Sequence, residues 1–223
     1  MLAIYLNICI LNLARIISAG ILYENNPQFY KHQRANEVTE TPEMLVVKRQ
    51  SWNPAWPPLT PCQALKKIGR LSENEFRYLV YYTPVGAPLA IKSFSTTVTT
   101  SLSALHRHPN VLKYQTLPGG TAFEFKVMYA DSRSGCFIFV TSKWTFGRSC
   151  RLLRTMAKRK YPIPQACWKV YIENCPANDV LIYKKTLWTR EKQVKVVNVC
   201  KTEILINLPS SHAMIKVIIA EDI

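Results

Sequence analysis

Residues 121–129 alternate one by one, with Phe123, Phe125, Val127 and Tyr129 on one side and Glu124 and Lys126 between them. A β-strand turns successive side chains to opposite faces, so such a segment has one apolar and one solvated face and belongs in an antiparallel sheet. Other β-prone runs occur at 76–82, 90–100, 110–116, 136–141 and 149–154. They are separated by turn residues: Pro84 and Gly86, then Pro118, Gly119 and Gly120, then Asp131 through Gly135. The apolar spacing in 63–68 predicts one short helix. A longer helix is predicted over 165–174, with Pro164 at its start and Pro176 just past its end. Short strands are predicted at 180–183, 194–199 and 204–208. Six or more strands followed by a single late helix describe a meandering antiparallel barrel with the helix packed outside. A β-sandwich accounts for the strands almost as well, and the lone late helix favours the barrel. A closed barrel of about eight strands has no exposed edge and holds side chains or one small ligand inside.

The apolar fraction of 48% and charged fraction of 19% supply enough core for a folded chain. Six prolines between 21 and 61 and little periodicity there predict a flexible arm ahead of a domain that begins at Cys62. Residues 1–14 are apolar but too short to span a bilayer, and Ser18 and Gly20 suit a signal-peptidase cut after Gly20, so a secreted chain is expected. No other stretch is long and apolar enough for a membrane span. Removing the leader also removes Cys9 and leaves Cys62, Cys136, Cys150, Cys167, Cys175 and Cys200, an even set suited to a disulfide framework. No Cys-x-x-Cys spacing or Asn-x-Ser/Thr site occurs.

Enzyme chemistry finds little support. His106 and His108 form the one close histidine pair, and Pro109 places them in an exposed loop without a nearby acid, so no metal or cofactor is expected. Asp131, Ser132 and Ser134 share a turn with no histidine base at hand. The net charge of +15 opens a different reading. Heparin-like polyanions could bind the runs 158–160 and 184–201, in a salt-sensitive way. No nucleic-acid signature accompanies these runs.

Several segments carry a more specific resemblance. Gln63-Ala64-Leu65 precedes the strand Arg77-Tyr78-Leu79-Val80-Tyr81-Tyr82. Residues 127–131, Val-Met-Tyr-Ala-Asp, lead to Cys136 at the head of an apolar strand, and Cys150-Arg151-Leu152-Leu153 comes on the next. Ile163-Pro164-Gln165-Ala166-Cys167 opens the late helix, and Cys175 closes it ahead of Tyr183. From 63 to 188 the chain resembles the tick salivary lipocalins of the histamine-binding type. The resemblance implies a mainly β fold, an eight-stranded antiparallel up-and-down lipocalin barrel with a C-terminal α-helix outside, over residues 62–190. Residues 191–223 are then an extension outside it. It implies Cys136 bonded to Cys167 and Cys150 to Cys175, leaving Cys62 for Cys200. It also implies a secreted monomer, not an enzyme, that sequesters a small host mediator.

Amine-binding members of that family carry two carboxylates, one just after the strand cysteine and one beginning a Glu-Leu-aromatic triplet on the next strand. A cationic amine in a low-dielectric interior needs such partners. Here those positions hold Phe137 and Arg151, and the aromatic of the triplet is Leu153. An inward Arg151 suits a carboxylate, with Phe137, Phe139, Tyr78, Tyr82, Phe123, Phe125 and Tyr129 as apolar wall. This favours a lipid or eicosanoid over histamine. An outward Arg151, or one paired with Glu124, is the competing arrangement.

Overall fold

The computed structural model describes residues 21–51, 62–84, 91–143 and 147–182. Eight strands succeed one another around a closed antiparallel barrel. They are β1 (Leu45–Ser51), β2 (Gln63–Arg70), β3 (Glu75–Tyr82), β4 (Lys92–Ser101), β5 (Val111–Gln115), β6 (Ala122–Asp131), β7 (Cys136–Lys143) and β8 (Gly147–Thr155). β8 pairs with β1, and β1 closes the ring on β2 through Leu45–Leu65 and Val46–Ala64. Past that short contact a further strand, β9 (Asp179–Leu181), takes the edge of β1 at Arg49–Ser51. Among the described residues there are also two α-helices, α1 (Ala35–Thr39) and α2 (Gln165–Asn174), and two 3-10 segments, Tyr23–Asn25 and Pro27–His32.

Three sequence expectations are corrected. Residues 63–68 are strand, because Leu65 faces the interior cluster while Ala64 packs outside, a period-two split that a helix cannot make. The segment 21–61 is not simply an arm: β1 lies within it, so the barrel begins at Leu45 rather than Cys62. β1 reads Leu-Val-Val-Lys-Arg-Gln-Ser, and its alternation is hidden by a bulge between Val47 and Arg49. His106 is buried, not exposed. The strands predicted at 194–199 and 204–208 lie outside the described residues, as do the leader 1–20 and Cys200.

The residues before β1 close one end of the barrel. Ala35 and Val38 of α1 are buried in the interior cluster, and the Ala35 amide donates to the Pro109 carbonyl at 2.8 Å. His106, in the β4–β5 connection, holds this segment down. Its Nε2 lies 2.9 Å from Gln33 Oε1, the Gln33 amide nitrogen donates to the Tyr23 carbonyl at 2.6 Å, and the Tyr30 ring lies 4.0 Å from the imidazole. Since Gln33 Nε2 is spent as a donor, its oxygen must accept, which fixes the proton of a neutral His106 on Nε2.

α2 packs on the outer face of β7 and β8. Cys167, Val170 and Tyr171 share one helical face and bury against Ile138, Val140 and Leu152. Trp168 is half-buried and receives the Arg49 guanidinium 5.2 Å from its ring, whereas Ile172 is 56% exposed. Cys136–Cys167 and Cys150–Cys175 fasten the helix to β7 and β8, closing 31- and 25-residue separations. Cross-links of that span stabilise by about 2–4 kcal/mol each. Cys62 is also disulfide-bonded.

Two stability effects are expected from this arrangement. Gly135 has φ +65°, and a Cβ there would meet Thr155 Oγ1 at 2.5 Å, whereas Gly119 at φ +69° faces open space. Gly135→Ala therefore costs about 3 kcal/mol and Gly119→Ala about 1 kcal/mol in urea denaturation. Second, burial lowers the His106 pKa, and burial with neighbouring Lys31 lowers that of His32. A base whose folded pKa lies below its unfolded value of about 6.5 takes up its proton more readily in the unfolded chain, so stability is present at neutral pH and is lost as pH falls through the unfolded value. The melting temperature should drop between pH 7 and 5, and His106→Gln should flatten that drop.

Candidate ligand-binding site

The interior wall is set by which residue of each strand faces inward. On β8 the inward positions are Arg151 and Leu153, and Cys150, Leu152 and Arg154 face outward. On β7 Phe137 and Phe139 face inward, opposite Leu153 and Arg151 in register. Phe125 of β6 lies 6.3 Å ring-to-ring from Phe139 and 5.0 Å from Tyr114 of β5. Tyr78 of β3 is 3% exposed, and Phe123 packs half-buried against the same cluster. Tyr82 is half-buried near the end of β3, its ring edge-on to Phe94 at 5.9 Å. Of the nine wall residues expected from sequence, eight thus face one interior.

Tyr129 is the exception and leaves the wall. A bulge between Val127 and Tyr129 reverses the facing of β6. Val127 and Ala130 point inward, while Tyr129 packs in the outer cluster and stacks on His32 at 5.2 Å. Its alternation with Phe123, Phe125 and Val127 is unbroken in the sequence, so a bulge that only the pairing with β7 reveals could not be read there.

Arg151 is 3% exposed and lies inside the barrel. Its Nε donates to Gln50 Oε1 at 2.9 Å, and its guanidinium carbon lies 5.5 Å from the centre of the Phe125 ring, a cation–π contact. Glu124, the alternative partner expected from sequence, is exposed on the outer face of β6. Desolvation lowers the Arg151 pKa to about 10, partly offset by the neighbouring Tyr114 hydroxyl, so the group is a cation at neutral pH. Among the described residues the one buried carboxylate is Glu24, and it is bound outside the barrel by both terminal nitrogens of Arg148, with Nη2–Oε2 at 2.8 Å. The described part of the interior therefore offers a cation and no anion.

Two polar neighbours were missed from sequence. Gln50 belongs to a strand hidden in the Pro-rich segment, and the bulge at Lys48 is what turns Gln50 inward and Arg49 out to Asp179 at 2.8 Å. Tyr114 comes after Leu112 at strand spacing in 110–116, a signal that was available. Gln63, also buried, donates to the Thr116 carbonyl at the end of β5. No group of His, Cys, Asp and Glu among the described residues is placed to hold a metal ion, and no described helix is long and apolar enough to cross a membrane.

Residues 23–200 match the family described as tick histamine binding protein. The chain belongs to that family. No curated protein matches its sequence. A solved structure similar to it is Japanin from Rhipicephalus appendiculatus bound to cholesterol, with 11% identity, coverage of 63% of this chain and 91% of that one, and a TM-score of 0.46. Membership fits the barrel directly: this is a ligand-binding lipocalin. The two places where the amine-binding resemblance expects acids, Phe137 and Arg151, are both inside it.

Replacing Gln50 by Leu leaves the buried guanidinium without the acceptor on its Nε. A hydrogen bond to a charged group contributes about 1.5–3 kcal/mol, and urea denaturation of Gln50→Leu should show a loss of that size.

Proposed function

We propose that this lipocalin is secreted and sequesters a small, largely apolar molecule that carries an anionic group, a lipid or eicosanoid rather than a biogenic amine. One observation carries the reading: Arg151 lies inside an aromatic wall where the amine-binding pattern calls for a carboxylate. A protonated amine brought beside a buried guanidinium would meet like charge in a low dielectric, whereas a carboxylate would meet opposite charge. Phe125, Phe137 and Phe139 supply the apolar contact that holds a hydrocarbon chain. Two disulfides and the apolar leader support secretion, because such cross-links persist in oxidising compartments. Binding by sequestration needs no reacting group, and no enzymatic step is proposed.

Titration of the purified protein with a fluorescent fatty acid, and separately with histamine, tests the proposal. Saturable fatty-acid binding at one site per chain, undisturbed by excess histamine, is the expected result. Saturable histamine binding without lipid uptake would overturn it.

A further inference from the structure

Besides Arg151, the barrel interior holds two buried phenols, Tyr78 and Tyr114. Tyr78 and Tyr114 are 3% and 2% exposed; the Tyr78 hydroxyl has no hydrogen-bond partner among the described residues, and the Tyr114 hydroxyl faces the Arg151 guanidinium, which supplies donors but no acceptor. A buried hydroxyl without a partner costs about 1–3 kcal/mol, and native interiors rarely leave one. Both phenols belong to the same interior cluster. The Tyr114 hydroxyl lies beside the Arg151 guanidinium, whose charge and hydrogen bond act on it, and both Tyr114 and Arg151 sit against the Phe125 ring, at 5.0 Å and 5.5 Å. Gln50 on β1, Arg151 on β8, Tyr114 on β5 and Tyr78 on β3 thus line one interior as a polar row.

The chemistry of the row selects a headgroup. A guanidinium gives only donors, and a phenol gives a donor that can turn toward an acceptor. Burial pushes both phenol pKa values up, so both keep their protons at neutral pH. A carboxylate is acceptor-only, with two oxygens and room for several donors, so it can satisfy the guanidinium and both phenols together. A sterol hydroxyl has a single oxygen and no charge. An amine brings further donors and a positive charge. The Phe123 and Phe125 rings flank Tyr114, leaving apolar surface next to the polar row for a hydrocarbon chain.

We infer that Tyr78 and Tyr114, together with Arg151, form a headgroup site that selects the carboxylate of a long-chain fatty acid or fatty-acid-derived mediator over sterols and neutral lipids. The inference rests on the proposed lipid-binding reading and adds the two phenols as specificity-determining residues.

The test uses oleic acid, methyl oleate and cholesterol as ligands. Binding to the disulfide-bonded protein is measured by isothermal titration for the wild type, Tyr78→Phe, Tyr114→Phe and Tyr129→Phe. Tyr129 lies in the outer cluster and serves as the control. Wild type should bind oleate at least about tenfold more tightly than methyl oleate or cholesterol, as expected for charge-assisted bonds. Each inner phenol variant should weaken oleate about three- to tenfold and leave methyl oleate unchanged, the size of one lost hydrogen bond. Tyr129→Phe should match wild type. Phenylalanine keeps the ring, and near-ultraviolet circular dichroism like that of wild type with a melting temperature no lower than wild type confirms that each variant is folded. Equal binding of oleate and its ester, or oleate affinity unmoved in both inner variants, would overturn the headgroup site while leaving a lipid-binding barrel intact. Preference for cholesterol would overturn it likewise. No binding of any of the three would overturn the lipid reading on which it rests.

Discussion

A strand buried on both faces must dispose of every polar side chain without help from solvent, and β8 does this over Ser149–Thr155. Its outward face carries Cys150 and Leu152 under α2, and Arg154, whose terminal nitrogens donate to the carbonyls of Ser134, Lys158 and Pro162. Its inward face carries Arg151 and Leu153. One arginine is thus consumed by the connection that leads into the helix, and the other is delivered to the interior. The strand can be covered on both sides because α2 is tied to it and to β7 by two disulfides, and because β1 closes the barrel along its other edge. Remove the cover and the outward arginine loses its carbonyl partners. Remove the closure and the inward one loses Gln50.

The two bulges extend the same logic. Each inserts one residue and so reverses the facing of the residues after it. In β1 the reversal sends Arg49 out to Asp179 and Trp168 and brings the neutral Gln50 beside Arg151. Without it a second cation would face the first across the interior, at a cost the low dielectric would magnify. In β6 the reversal keeps Ala130 inside, next to the end closed by α1, and places the bulkier Tyr129 against His32. At this end Ala130 faces inward beside Phe137, its partner on β7.

Much of this was legible from residue order. The strands at 76–82, 121–129 and 136–141, the helix 165–174 and the inward row of Phe123, Phe125, Phe137 and Phe139 rest on period-two and period-3.6 spacing, which depends only on local backbone geometry. β1 was not legible, because its bulge scrambles the alternation and its proline-rich surroundings read as loop. The assignment of 63–68 to helix failed for a related reason: a short apolar spacing fits either period, and only pairing with β3 decides it.

Residue identity and short-range spacing were enough for a mainly β fold and the cysteine set, and the family resemblance for the replacement of the expected acids by Phe137 and Arg151. They were not enough to say where those residues point, which came from the folded barrel. Whether Arg151 faces the interior or solvent, whether Tyr129 belongs to the wall, and whether Tyr78 and Tyr114 share one cluster depend on strand register and bulges. Register is set by pairing between segments far apart in the chain, and a shift of one residue moves every side chain of a strand to the other face.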